Sequence, residues 1–312
     1  MSSIQFDPAT DIPDQSGRVF LITGGTTGLG ASTVSFLPSH NPAHIFFSGR
    51  NKARADELIS KISKSSPSTK ITFIECDLAS LASVQSAAKQ VLSLTNRLDV
   101  LICNAGIMAT PSELSKDGYE LQFATNHLGH ALLMKLLLPL MLETTAQPNP
   151  DVRIVNLSSV AYKAGGPSSG IEFSKLKTKN ASYGPFYNPM KWVYYNQSKL
   201  ANLLYSVELA ARHPSITSVA VHPGFIKTDL LVHINSMDRQ VINLLSHGDW
   251  RTAVTGAYNQ TWAATTQKEN LVNGAYYEPV GVKTVPSTRQ GRDRALAKEL
   301  WEWTERELKD WN

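Results

Sequence analysis

The chain has 312 residues, with 30 Lys and Arg against 26 Asp and Glu and a formal net charge of +4 spread without a basic block, which argues against a nucleic-acid-binding surface. Hydrophobic residues make up 42% and charged residues 18%, a balance that excludes a disordered or collagen-like chain and suits a folded domain with a large core. Residues 1–17 read as a polar N-terminal tail with Pro8 and Pro13, lacking the features of a secretory signal or transit peptide. From residue 18 on, short apolar runs alternate with longer amphipathic segments. Strands are expected at 18–22, 44–47, 71–75, 100–103, 152–157, 218–221 and 275–277. Helices are expected at 29–37, 52–63, 81–94, 119–142, 193–212, 251–266 and 292–308. That rhythm predicts an α/β fold: one doubly wound parallel sheet of about seven strands with helices on both faces, spanning 18–312, with ligands bound at the carboxyl ends of the strands. Two irregular regions, 162–191 and 227–249, exceed ordinary connections and are expected to be substrate loops.

The longest apolar stretch, 131–142, is interrupted by Lys135 and Pro139 and falls short of the ~20 residues that span a bilayer, so it reads as a buried helix. The two cysteines, Cys76 and Cys103, each end an apolar strand-like run, and the expected topology separates them by two strands. They read as buried free thiols, and the chain as cytoplasmic.

Directly after the first strand stands Thr23-Gly24-Gly25-Thr26-Thr27-Gly28-Leu29-Gly30, and a helical pattern follows. Glycines there permit a tight turn and let backbone N–H groups approach a pyrophosphate at a helix N-terminus. Further along come Asp77 after the third strand, Asn104-Ala105-Gly106 closing the fourth, and Asn126 within Thr125-Asn126-His127-Leu128-Gly129-His130. Ser158-Ser159 follow the fifth strand, Tyr195-Asn196-Gln197-Ser198-Lys199 open a helix, and Pro223-Gly224-Phe225-Ile226-Lys227-Thr228 follow the sixth. In these motifs, their order and their placement, the chain resembles the short-chain dehydrogenase/reductase family, with closest likeness to the retinol-dehydrogenase and WW-domain-oxidoreductase branch.

The resemblance implies a dinucleotide cradled by Gly24, Thr26, Thr27, Gly28, Leu29 and Gly30. Asp77 and Leu78 would hold the adenine, and Asn104, Ala105 and Gly106 would line the ribose side. Pro223, Gly224, Ile226 and Thr228 would receive the nicotinamide carboxamide. Members usually pair through the long helices carrying Asn126 and Tyr195, so a homodimer is one implied assembly. The second strand ends Ser48-Gly49-Arg50-Asn51, with no carboxylate to accept a ribose 2′-hydroxyl. Arg50 instead offers a planar guanidinium suited to a 2′-phosphate, which predicts NADP(H) over NAD(H).

Hydride transfer to a carbonyl requires a proton donor for the developing alkoxide. Tyr195 and Lys199, four apart on a helix, share a face, and the lysine is expected to lower the phenol's proton affinity. By the family mechanism Lys199 also holds the nicotinamide ribose, Ser159 donates to the substrate oxygen, and Asn126 supports a water-mediated relay to Lys199. Tyr187 and Lys191 repeat the spacing, but Pro185 and Pro189 argue against a helix there, and Tyr194 has Ser198 at its fourth successor. Ser159 is preferred to Ser158 on the family pattern, since alternation says only that they face opposite ways.

Gly166-Pro167-Ser168-Ser169-Gly170 fits the G-x-S-x-G pattern of a hydrolase but lacks the strand-to-helix setting a nucleophile elbow needs. The eight histidines are scattered, and His127 with His130 lacks a further ligand signature, so no metal is expected. His222 reads as packing. A nucleotide sensor without turnover, or an NADP-bound cyclase or isomerase, are the rival functions; the first would be expected to lose Tyr195 or Lys199. Ile107, Met108, Phe186, Trp192, Phe225, Leu230 and Leu231 suggest an apolar pocket for a lipophilic carbonyl or alcohol.

Overall fold

Strand β1 (Val19–Ile22) consists of four buried apolar residues whose side chains alternate between two cores. Val19 and Leu21 enter one core and Phe20 and Ile22 the other. The same division recurs in β2 (His44–Gly49), where Phe46 and Phe47 face opposite ways, and in β4 (Val100–Cys103) and β5 (Arg153–Leu157). A sheet buried on both faces is what continuous apolar runs, rather than alternating ones, encode. The computed structural model describes residues 3–164, 166–179, 190–227, 236–246 and 248–312.

The remaining strands are β3 (Ile71–Glu75), β6 (Thr217–Val221), β7 (Phe225–Ile226), β8 (Trp250–Arg251), β9 (Tyr276–Glu278) and β10 (Val282–Thr284). The main sheet has eight strands in the order β10-β9-β6-β5-β4-β1-β2-β3, parallel except for the β9–β10 hairpin at its edge. The count therefore exceeds the expected seven by one short edge strand. On one face lie α3 (Leu81–Leu94), α5 (Gly129–Thr144) and α6 (Met190–Arg212); on the other lie α1 (Gly28–Phe36), α2 (Lys52–Ser65) and α9 (Tyr258–Thr265). The reversal of strand order between β1 and β4 opens a crevice at the carboxyl ends of the strands.

The expected helix over 119–142 is interrupted. It opens as the single turn α4 (Leu121–Phe123), passes through a π turn at Ala124–Leu128 and only then becomes α5. The helix expected at 251–266 likewise divides into α8 (Ala253–Gly256) and α9. Two further features were not expected: α7 (Ser236–Leu245), and the two-residue ladder of β7 and β8 pairing Phe225 with Trp250.

The final helix, α10 (Arg294–Glu307), forms an outer layer over α6 and α5. Trp301 stacks on Tyr205 at 4.7 Å, the Tyr119 hydroxyl donates to Glu307 at 2.8 Å, and Lys135 donates to the Leu308 carbonyl at 2.8 Å. The polar N-terminal segment is anchored rather than free. Phe6 and Ile12 are buried, Phe6 meets Tyr258 edge-on at 5.9 Å, and Ile4 N–H donates to the Val280 carbonyl at 3.0 Å. Cys76 and Cys103 are both free and buried, with β1 and β2 between the strands they close. Among the described residues no helix is long and apolar enough to cross a membrane.

Candidate active site

The glycine turn joins β1 to α1. Gly24 adopts φ +65°, a left-handed conformation open to glycine at little cost. Gly30 is needed for space: a Cβ there would stand 2.6 Å from Asn104 Nδ2 and drive into the Gly24 carbonyl. The Asn104 side chain fastens this junction, donating to the Thr23 carbonyl at 2.8 Å and accepting from Gln260 at 3.0 Å. At the start of α1, Thr27 makes no side-chain cap and the first turn carries no acidic residue, whereas Asn51 caps α2 and Asp293 caps α10 through their side chains. An uncapped helix N-terminus behind a glycine cradle suits an anionic pyrophosphate.

This turn forms one end of a cleft of about 1670 Å³, larger than the ~300–1,000 Å³ of ordinary ligand pockets and roomy enough for a dinucleotide with a second molecule. Gly24, Thr26, Thr27, Gly28 and Leu29 line it, as do Arg50, Asp77, Leu78, Asn104, Ala105 and Gly106. Asp77 Oδ1 accepts from Ala79 N–H at 3.1 Å, a local turn that presents Leu78 to the cleft. Arg54, in the first turn of α2, lines the cleft with Arg50 and was missed by the sequence reading, although its spacing of four from Arg50 was visible. Gly30 stands behind the turn rather than at the surface of the cleft.

At the other end lie Ser159, Tyr195, Lys199, Pro223, Gly224 and Ile226. The two serines are separated by their partners. Ser158 donates to the Lys199 carbonyl at 2.7 Å and is buried against α6, while Ser159 Oγ accepts from Ala161 N–H at 3.2 Å and lines the cleft with Tyr195. Burial pushes the Tyr195 phenol up to about 12, and the neighbouring Ser159 hydroxyl pulls it partly back. Burial also pushes Lys199 down to about 8. Its Nζ lies 5.7 Å from the centre of the Tyr195 ring and donates to the Leu157 carbonyl at 3.0 Å. The expectation that the lysine lowers the phenol's proton affinity is therefore corrected for the protein alone, where desolvation dominates both groups.

Asn126 sits in the π turn behind the cleft. Its Oδ1 accepts from Ile107 N–H at 2.8 Å, and its Nδ2 donates to the Ile107 carbonyl at 3.0 Å and to Ser198 Oγ at 2.9 Å. These bonds to a distant strand end explain why the helix departs from α geometry here. Ile107, Met108, Trp192 and Phe225 line the substrate end, joined by Ile242 of α7 and Trp250 of β8, which the sequence reading missed. Trp192 Nε1 donates to Asp238 Oδ1 at 3.0 Å and Lys191 pairs with the same carboxylate, so α7 is fastened to the first turn of α6. Thr228, Tyr187, Pro185, Pro189, Phe186, Leu230 and Leu231 lie outside the described residues. Ser168 lies in an exposed turn between two short 3-10 helices, 160–163 and 173–175, not at a junction of strand and α-helix.

A family model described as short chain dehydrogenase matches residues 18–171. An uncharacterized oxidoreductase of Schizosaccharomyces pombe is 36% identical over 308 residues, covering 96% of this chain and 87% of its own. The chain belongs to the short-chain dehydrogenase/reductase family. Members of this family are oxidoreductases that bind a nicotinamide cofactor, and this member is also similar to human retinol dehydrogenase 14, 34% identical over 306 residues and covering 93% of this chain and 85% of the relative. That likeness supports the retinol-dehydrogenase-like branch. A solved structure of an uncharacterized protein from Mycobacterium paratuberculosis superposes with a TM-score of 0.71 at 30% identity, covering 96% of this chain and 97% of that one. A blue fluorescent protein from a metagenomic library, solved with NADPH, shares the fold with a TM-score of 0.66 at 23% identity, covering 88% of this chain and 100% of its own.

Proposed function

We propose that this short-chain dehydrogenase/reductase is an NADP(H)-dependent oxidoreductase acting between a lipophilic aldehyde or ketone and its alcohol. The observation that carries the reading is one cleft holding the glycine turn at one end and the Tyr195–Ser159 pair with Lys199 at the other. The cradle at Gly24 and Gly30, the uncapped start of α1 and the cleft's size fit a dinucleotide. Arg50, with Arg54 beside it, would hold the 2′-phosphate as the preferred cation pair, no carboxylate standing at the end of β2. Bound NADPH supplies a hydride, and bound NADP+ accepts one.

Tyr195 donates its phenolic proton to the substrate oxygen in reduction and takes it back in oxidation. Burial keeps that hydroxyl protonated at neutral pH, the state that the donor role in reduction requires. Ser159 hydrogen-bonds the same oxygen and orients it. Lys199, nine-tenths or more buried with its Nζ against Gly106, would hold the nicotinamide ribose and return a proton to Tyr195. Asn126 fixes the Ile107 backbone and, through its carbonyl, would support the water relay to Lys199. Ile107, Met108, Trp192, Phe225 and Trp250 give the substrate end its apolar character, which supports a lipophilic ligand.

The test is absorbance at 340 nm with NADPH or NADH against a panel of aliphatic and aromatic aldehydes and ketones, and with NADP+ against the matching alcohols. Turnover with NADPH at the higher kcat/KM is expected. A protein that binds NADPH and turns over no member of the panel in either direction would overturn the activity, and preference for NADH would overturn the role of Arg50.

A further inference from the structure

One buried imidazole joins the strand that enters the glycine turn to the π turn that carries Asn126. His130, 1% exposed in the first turn of α5, places Nδ1 3.0 Å from the Asn126 main-chain carbonyl and Nε2 2.8 Å from Thr23 Oγ1. A carbonyl oxygen can only accept, so Nδ1 bears the hydrogen. Thr23 Oγ1 accepts N–H groups from Asn104 at 2.9 Å and Ala105 at 3.0 Å, which leaves its own proton for Nε2. The competing acceptor, the Ile102 carbonyl, is farther away at 3.4 Å. The partners thus assign the tautomer. Beyond Asn126 the line continues through Ser198 Oγ, which donates to the Tyr195 carbonyl at 2.7 Å. Thr23, Asn126, His130 and Ser198 are each 1% exposed or less, so an unmade bond in this line would leave a polar group stranded away from water.

We propose that His130, as the neutral Nδ1–H imidazole, is a positioning residue: its Nδ1–H aims the Asn126 main-chain carbonyl, and the Thr23 hydroxyl holds the ring in the tautomer that can do so. The inference rests on the roles proposed above for Tyr195, Lys199 and Asn126. Burial and the Lys199 charge keep the ring from taking a second proton, pushing it down to about 4. Had Nδ1 carried no hydrogen, it would face the carbonyl lone pairs with its own, and the π turn would lose this tie.

Three variants and one spectrum test the assignment. His130→Asn keeps a donor near the Nδ1 position and loses the link to Thr23; His130→Gln reaches toward Thr23 and loses the donor to Asn126; His130→Phe loses both. With NADPH and the carbonyl that the wild type reduces fastest, kcat is expected to fall about tenfold or more in H130Q and H130F and to stay within about threefold of wild type in H130N. The Kd for NADPH, read by fluorescence titration, is expected to change by no more than about twofold in H130N. In the ligand-free protein labelled with 15N-histidine, NMR should show His130 protonated at Nδ1 and bare at Nε2. Turnover together with an Nε2-protonated ring would overturn the positioning role alone, as would wild-type kcat in H130Q or an H130N no better than H130Q. Absence of wild-type turnover with the ring protonated at Nδ1 would sink the oxidoreductase reading, reducing the imidazole to a structural bond. Should H130F fail to fold, the comparison of H130N with H130Q and the NMR tautomer still decide the matter.

Discussion

Lys199 makes the protein less stable than it could be, and replacing it by methionine measures by how much. The ammonium is buried, and its drop from an ordinary 10.5 to about 8 corresponds to a penalty of about 3 kcal/mol for holding the charged form in the folded state. A group whose folded value lies below its unfolded value favours folding only when neutral. The penalty is therefore absent above about 10.5, grows as pH falls toward 8 and is complete below it. Lys199→Met removes the charge and keeps most of the stem's volume. It loses one hydrogen bond, but the Leu157 carbonyl retains the donor Asn202 Nδ2 at 3.0 Å, so the loss costs about 1 kcal/mol. A net gain of about 2 kcal/mol is expected at pH 7, or about 3 °C in Tm for a chain of this length. The assay is urea and thermal unfolding of both proteins at pH 7 and near pH 10, where the gap should close. Turnover with NADPH should fall by about 100-fold or more in the same variant. A methionine variant that is less stable than wild type at pH 7, or whose advantage persists unchanged at high pH, refutes the assignment of a desolvated ammonium.

Tyr195→Phe removes the proposed proton donor, so kcat is expected to fall on the order of 10²–10⁴-fold while NADPH still binds, as followed by stopped-flow reduction and fluorescence titration. Arg50→Ala should lower kcat/KM for NADPH by about tenfold or more and leave that for NADH nearly unchanged, shifting the cofactor ratio in steady-state kinetics. Two glycine variants separate strain from collision. Gly28→Ala, at φ +57° with open space around it, should cost about 1–2 kcal/mol in urea titrations. Gly30→Ala, colliding with the Gly24 carbonyl and Asn104 Nδ2, should cost about 3 kcal/mol or more and abolish NADPH binding.

The sheet could be read from the sequence because its strands are buried on both faces and announce themselves as uninterrupted apolar runs such as Val19–Ile22. The glycine turn was equally legible, its neighbours being local. What escaped was set by contacts between distant segments. β7 and β8 are two residues each and exist only because Phe225 and Ile226 meet Trp250 and Arg251 across more than twenty residues of sequence. The π turn reflects the bonds between Asn126 and Ile107, which no helical periodicity records. Phe6 and Ile12 are two apolar residues in a polar segment, and only the fold supplies the surfaces that cover them. The Tyr195 and Lys199 spacing placed both groups on one helix face, but their proton affinities follow from burial, which spacing does not encode.

That burial has a consequence for the direction of the proposed reaction. A phenol at about 12 and an ammonium at about 8 both remain protonated at pH 7 in the protein alone, so the proton that reduction consumes is already on Tyr195. Oxidation would instead require Tyr195 as phenolate, a state that desolvation opposes until positive charge arrives beside the ring. Lys199 cannot supply all of that charge from its present position, since its Nζ is turned to the Leu157 carbonyl and stands 5.7 Å from the ring centre. The pH dependence should therefore differ between directions: reduction of a carbonyl holds its rate from pH 6 to 7.5, whereas oxidation of the matching alcohol rises steadily over the same range. Initial rates in both directions across that interval check the argument, and parallel profiles would show that the phenol's protonation state does not govern the chemistry.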